Sequence, residues 1–168
     1  MATSLGWRIK YQQAHEIYFK VKCPQVYAAG LYTPPKYPNV KTANGLSLFA
    51  CNYFTYLGQR LERTNNMGRR IDNRKTYVDV LGHTRQIGSI EWQKGTGERG
   101  TSDLKGHFKP FGARWAIPVY IEVKAGKDRM SQEQKEYMER VTSTGAMHLI
   151  LRTPEDLYQF VDYLKTLK

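Results

Sequence analysis

Cysteine is scarce: Cys23 and Cys51 are the only two in 168 residues. No CxxC pair links them, and no Cys/His cluster at zinc spacing joins them to His15, His83, His107 or His148, which argues against a structural zinc and leaves two free thiols in a reducing compartment. Long apolar runs are missing too. Nothing at the N-terminus has the apolar core of a signal peptide and no stretch approaches membrane length, so a soluble, cytoplasmic protein without membrane contact is expected. Acid is unevenly spread, with no Asp or Glu between Glu16 and Glu62. The glycine-rich run Gly95 to Gly100 lacks the Gly-Lys-Ser/Thr ending of a phosphate-cradling P-loop, so no nucleotide cofactor is expected; the run reads instead as a flexible lead that lets a polyanion's backbone come close.

What the chain does have is positive charge. Lys and Arg number 26 against 15 Asp and Glu, a formal net charge of +11, and a basic surface is most useful against a polyanion, where it neutralises phosphates and releases counterions. Up to Lys41 there are six basic residues and one acidic; from Thr42 to Leu57, none; from Gly58 to Arg114, twelve and six; from Trp115 onward, eight and eight. The whole surplus therefore precedes Trp115. A hydrophobic content of 40% supports one globular domain, assigned to residues 42–168, behind a basic, aromatic-rich extension over 1–41. In that extension Trp7, Tyr11, Tyr18, Phe19, Tyr27, Tyr32 and Tyr37 alternate with lysines, a composition that serves either to stack bases or to pack an arm on the body or on a partner subunit. Thr33 to Pro38 reads as an extended connector.

Apolar residues at Leu46, Phe49, Ala50, Tyr53, Phe54 and Leu57 keep helical spacing, with Gly58 placed for a left-handed cap. Arg60 to Asn65 reads as a first core strand, Met67 to Arg70 as a basic loop, and Thr76 to Val80 with Gln86 to Trp92 as an inserted hairpin. Arg69, Arg70, Arg74, Lys75, Lys105, Lys127 and Arg129 are candidates for phosphate contacts that position a nucleic acid without reading its sequence. Ser131 and Gln134 match a capping box opening a helix over Gln132 to Thr142, with Tyr137, Met138 and Val141 inward. Met147 to Arg152 reads as a short buried strand. Thr153 as N-cap, Pro154 at the first position and Glu155 and Asp156 in the first turn open a last helix with the stripe Leu157, Phe160, Val161, Leu164 and Leu167.

The sharpest stretch runs from Gly100 to Lys124. Alternation along Val119, Ile121 and Val123 sends these to one face of a strand and Tyr120, Glu122 and Lys124 to the other. With Asp103 opening the neighbouring strand, two carboxylates converge beside a lysine, a geometry suited to a hard divalent cation. An Asp opening one strand, Glu-x-Lys on the next and Ser-Gln-Glu-Gln opening the following helix resemble the PD-(D/E)XK nuclease superfamily. Within it they are most similar to the VRR-NUC branch (virus-type replication-repair nucleases), close to the archaeal Holliday junction resolvases.

The resemblance spans about Leu46 to Arg152 and implies an α/β, restriction-endonuclease-like core: a mixed central sheet flanked by helices. It implies Mg²⁺ or Mn²⁺ on Asp103, Glu122 and the carbonyl of Val123, Lys124 orienting the attacking water, and Gln134 beside the metal. The implied activity is hydrolysis of DNA, duplex or branched, by a homodimer, and phage-encoded members suggest a role in viral DNA replication, recombination or packaging. The first helix departs from the pattern, since many relatives place a further acid there and this one has none; Glu91 and Glu98 are the candidates to replace it. Two other readings fit the same residues: a DNA-binding or virion-associated protein that keeps the fold without cutting, and an RNA-directed ribonuclease or RNA-binding protein.

Overall fold

The computed structural model describes residues 6–64, 68–93 and 97–167. Its elements are α1 (Gly6–Lys22), α2 (Pro24–Ala28), α3 (Ala43–Tyr56), β1 (Arg60–Arg63), β2 (Arg69–Asp72), β3 (Lys75–Val78), β4 (Thr84–Ile87), β5 (Ile90–Gln93), β6 (Leu104–Phe108), β7 (Ile117–Val123), α4 (Gln132–Ser143), β8 (Met147–Leu151) and α5 (Pro154–Thr166). Strands β1, β6, β7 and β8 form the central sheet in that order. Antiparallel pairing joins β1 to β6 and β6 to β7, while β8 runs parallel to β7, so the sheet is mixed.

One face of this sheet is the core. Leu61, Leu104, Phe108, Val119, Ile121 and Val123 point into a cluster with Phe49 and Phe54 of α3 and Leu157, Val161 and Leu164 of α5. The opposite face is covered by α4 only in part: Tyr120 meets Tyr137 edge-on, with ring centroids 6.0 Å apart. Helix α4 buries none of its residues fully, and its inward positions Tyr137, Met138 and Val141 are half-buried. Strand β8, expected to be buried, lies at the edge of the sheet, and only Leu151 is fully covered.

Helix starts follow their caps. Thr42 accepts from the N–H of Gly45 to open α3, four residues before the apolar stripe begins, and Thr153 and Asp156 form a full capping box ahead of α5, satisfying N–H groups that lack intrahelical partners. Gly58 takes φ 70° after α3, the left-handed conformation that an L side chain rarely adopts.

The N-terminal stretch follows one of its two expected readings, and the insertion departs from expectation. The lysine- and aromatic-rich stretch opens as the 17-residue helix α1, whose Trp7, Tyr11 and Ala14 pack on the body in the same core cluster as Phe49. Tyr158 of α5 fastens it by donating to the carbonyl of Trp7 at 2.6 Å. Those rings are therefore packed against α3 and α5, which leaves Trp7 and Tyr11 no face for stacking a base. Residues 31–39, where the prolines predict a connector, belong to no helix or strand. The insertion is longer than a simple hairpin. Strands β3 and β4 pair at its tip and β2 and β5 at its base, tied by Asn73 N–H to the Ser89 carbonyl at 3.1 Å. Arg69 and Arg70 belong to β2 rather than to a loop; Asn65 and Met67, in the expected strand end and loop, lie outside the described residues.

Candidate active site

Register brings the key residues into one row. Leu104 stands opposite Ile121 and Arg63 opposite Leu104, so Asp103, immediately before β6, falls beside Glu122 near the end of β7, with Thr64 on its other side. Thr64 donates its N–H to the Asp103 carbonyl at 2.8 Å, and the Val123 N–H donates to Asp103 Oδ2 at 2.9 Å. These bonds hold the Asp103 carboxylate against the last turn of the pleat.

Glu122 and Lys124 share the face away from the core and are 1% and 5% exposed. Lys124 Nζ lies 3.0 Å from Glu122 Oε1 and 3.4 Å from Asp128 Oδ2. Gln134 ties the group together. Its Nε2 donates to Glu122 Oε1, while its Oε1 accepts from Lys124 Nζ at 2.9 Å and from the Ser131 N–H at 3.0 Å. The second of these is half of the capping box that opens α4, so one side chain both starts the helix and orients the acid and the amine.

Burial pushes the Glu122 carboxyl above its ordinary range, with the negative Asp103 adding to the rise and Lys124 opposing it. Burial works against charge on Lys124, but the carboxylates of Glu122 and Asp128 outweigh it and hold the ammonium above its ordinary value. Lys124 is thus held as an ammonium beside the Glu122 carboxyl.

These residues line a cleft of about 320 Å³ together with Asn44 and Ser47 of α3, Arg63 and Thr64. Whether it suits a hard cation is answered by its donors. Among the described residues no three His, Cys, Asp or Glu gather at one metal-binding point; Asp103 and Glu122 offer carboxylate oxygens, while Asp128, which also lines the cleft, pairs with Lys124. That fits Mg²⁺ or Mn²⁺, which bind through one or two carboxylates and keep several waters, and does not fit zinc. The hydroxyl Oγ1 of Thr64 is buried there without a hydrogen-bond partner among the described residues, as a group facing ordered water would be.

The candidates for a replacement acid do not enter this cleft. Glu98 pairs with Arg140 at 2.8 Å, and Glu91 sits exposed on β5 opposite Ile71. On α3 the positions that border the cleft are Asn44 and Ser47, and Arg63 fixes Asn44 through its carbonyl at 2.8 Å. Asp128 was likewise missed. For α3 the available signal was the polar pair Asn44 and Ser47, three apart and so on one face of the helix.

The candidate phosphate contacts scatter. Arg70 and Lys75 are exposed on the ribbon, Lys105 on the outer face of β6, and Lys127 and Arg129 in the loop after Lys124. Arg74 is occupied, gripping Asp72 with Nε at 2.8 Å and Nη2 at 2.6 Å, and the side chain of Arg69 lies outside the described residues. Gly100 also corrects an expectation: a Cβ there would stand 2.3 Å from the Glu133 carbonyl, so the close approach it permits is to the main chain of α4.

Cys23 and Cys51 are free thiols, and among the described residues no helix is long and apolar enough to cross a membrane. No curated protein and no solved structure matches the chain. A family model described as the VRR-NUC domain matches residues 55–152, from the end of α3 through β8, the segment that carries Asp103, Glu122, Lys124 and Gln134. With more than half of its length matched, the chain belongs to the VRR-NUC family of PD-(D/E)XK-like nuclease domains.

Proposed function

We propose that this nuclease is a divalent-metal-dependent endonuclease that hydrolyses phosphodiester bonds in DNA, acting on branched or junction substrates as a homodimer. The observation that carries the metal-dependent reading is the meeting of Asp103 and Glu122 in one cleft with Lys124 and Gln134. Asp103 and Glu122, with the Val123 carbonyl, are the groups that would hold Mg²⁺ or Mn²⁺, which when bound would polarise the scissile phosphate and lower the pKa of water.

The chain's own groups do the rest. Lys124, a compact cation kept protonated by Glu122 and Asp128, places positive charge where the attacking water and the non-bridging oxygens gather. Gln134 holds that ammonium and Glu122 through one amide, which fixes the orientation of the pair. Thr64 and Ser47 offer hydroxyls to the same space. Exposed Arg70, Lys75, Lys105, Lys127 and Arg129 supply sequence-independent phosphate contacts.

A cleavage assay on linear, flap, splayed and four-way DNA tests this, with Mg²⁺, Mn²⁺ or EDTA. Cleavage should require the metal and disappear in Asp103→Ala, Glu122→Gln and Lys124→Ala. Binding to all substrates without cleavage in either metal would instead support a non-cutting, DNA-binding role, the reading favoured by the absence of an acid on α3. Equal cleavage of every substrate would remove the preference for branches, and a monomer at assay concentration would remove the dimer.

A further inference from the structure

We propose that Trp92 and Arg99 form a seat for one unpaired nucleotide next to the catalytic cleft, the base lying on the indole and its phosphate on the guanidinium. The proposal rests on the nuclease reading and names a feature its substrate should carry. Three observations support it.

First, Trp92 is 66% exposed, whereas Trp7 is 6% exposed. A solitary surface apolar residue is ordinary. Here, however, the ring borders a cleft of about 550 Å³ with Arg99, Gly100, Glu133 and Gln134, a size within the range of about 300–1,000 Å³ usual for small-ligand sites. Second, Gln134 borders this cleft and the one holding Asp103, Glu122 and Lys124. A nucleotide here would sit one side chain away from the reacting phosphate. Third, the seat is built by two close approaches. A Cβ on Gly68 would stand 2.5 Å from Trp92 Nε1, and one on Gly100 2.3 Å from the Glu133 carbonyl, so glycine at both positions lets the ring and the α4 wall close in.

The chemistry selects the occupant. Arg99 makes no ion pair among the described residues and acts on the Glu133 carboxyl only at longer range. Glu133, in the first turn of α4, makes that helix start a poor phosphate site, so the phosphate falls to Arg99. Bases inside a duplex present no free π-face to a wall, whereas an unpaired base does, and stacking on an aromatic side chain tolerates any base.

The test is binding in EDTA by the full chain, read by anisotropy and by indole quenching, with a blunt duplex and the same duplex carrying one unpaired thymidine. The wild type should bind the second more tightly and lose fluorescence on doing so. Trp92→Ala should lose roughly tenfold in affinity for the duplex with the unpaired base and none for the blunt duplex, while Trp92→Phe keeps part of the preference. Trp92→Leu, a strand-compatible residue without a π-face, covers the case in which alanine loosens the ribbon. Equal weakening on both duplexes, or a preference unchanged in all three variants, overturns the proposal. Mg²⁺-dependent cleavage without a Trp92-dependent preference sinks the seat and leaves the nuclease standing; a Trp92-dependent preference without cleavage in any metal does the opposite.

Discussion

Replacing Gln134 by Glu alters one atom in a place where three groups depend on it. The new side chain still offers an oxygen to the Ser131 N–H and to Lys124 Nζ, 3.0 Å and 2.9 Å away in the parent, but it turns the Nε2 donor facing Glu122 Oε1 into a second carboxylate. Two unit charges about 3 Å apart at an effective dielectric of about 20 repel by about 5 kcal/mol. Lys124 returns part of this, and the rest is avoided by binding a proton between the two acids, which raises their shared folded-state pKa above the unfolded value. The sign follows: stability relative to wild type is kept at low pH and falls as pH rises through that raised pKa. Gln134→Met, which has the volume without the hydrogen bonds, should instead lose roughly 2–3 kcal/mol at every pH, at about 1 kcal/mol per bond. Urea unfolding from pH 5 to pH 8 distinguishes the two, and cleavage should fall in both. A Gln134→Glu protein whose stability tracks wild type across that range would show that the amide does not bridge Glu122 in solution.

Three further outcomes are expected. His148, bonded through Nε2 to Ser102 Oγ at 3.2 Å, has its pKa lowered by burial to about 4; the fold should lose stability as pH falls from about 6.5 toward 4, by at most roughly 3 kcal/mol, and His148→Gln should flatten that slope in urea titrations. Tyr158→Phe removes the hydroxyl's bond to the Trp7 carbonyl and should cost about 0.5–1.5 kcal/mol in thermal or urea melts; no change would mean that α1 is not anchored there. Lys75→Ala should weaken duplex binding more than Arg74→Ala in anisotropy titrations, because Arg74 must first leave Asp72, and the reverse order would mean that this pair opens freely.

The centre of the molecule was legible because each signal there has one physical source. Alternation along Val119 to Val123 sets the faces of β7, the Ser131 and Gln134 spacing sets the start of α4, and Thr153-Pro154 sets the start of α5. The periphery was not. Helix α1 buries only a narrow stripe, Trp7, Tyr11 and Ala14, while Ile9, Ile17 and Val21 stay exposed, so its apolar residues surround the helix and blur the period that would announce it. Among the described side chains of strand β2 none is buried, and strands β3, β4 and β5 are exposed at every position. Without a core to face, a ribbon shows no reliable alternation, and the reach of β2 and β5 could not be read. Within the site, Asn44 and Asp128 escaped notice because only the packing of α3 and the loop after Lys124 brings them to the cleft.

Because a single amide fastens both the first turn of α4 and the Lys124 ammonium, local order and chemical readiness arrive together. Residue 134 follows every other polar group of the centre, so a growing polypeptide leaves Glu122 and Lys124 without their shared partner until the fourth helix nucleates. Substitutions that merely weaken that nucleation, even at solvent-facing positions of the turn, would dull the blade without touching it.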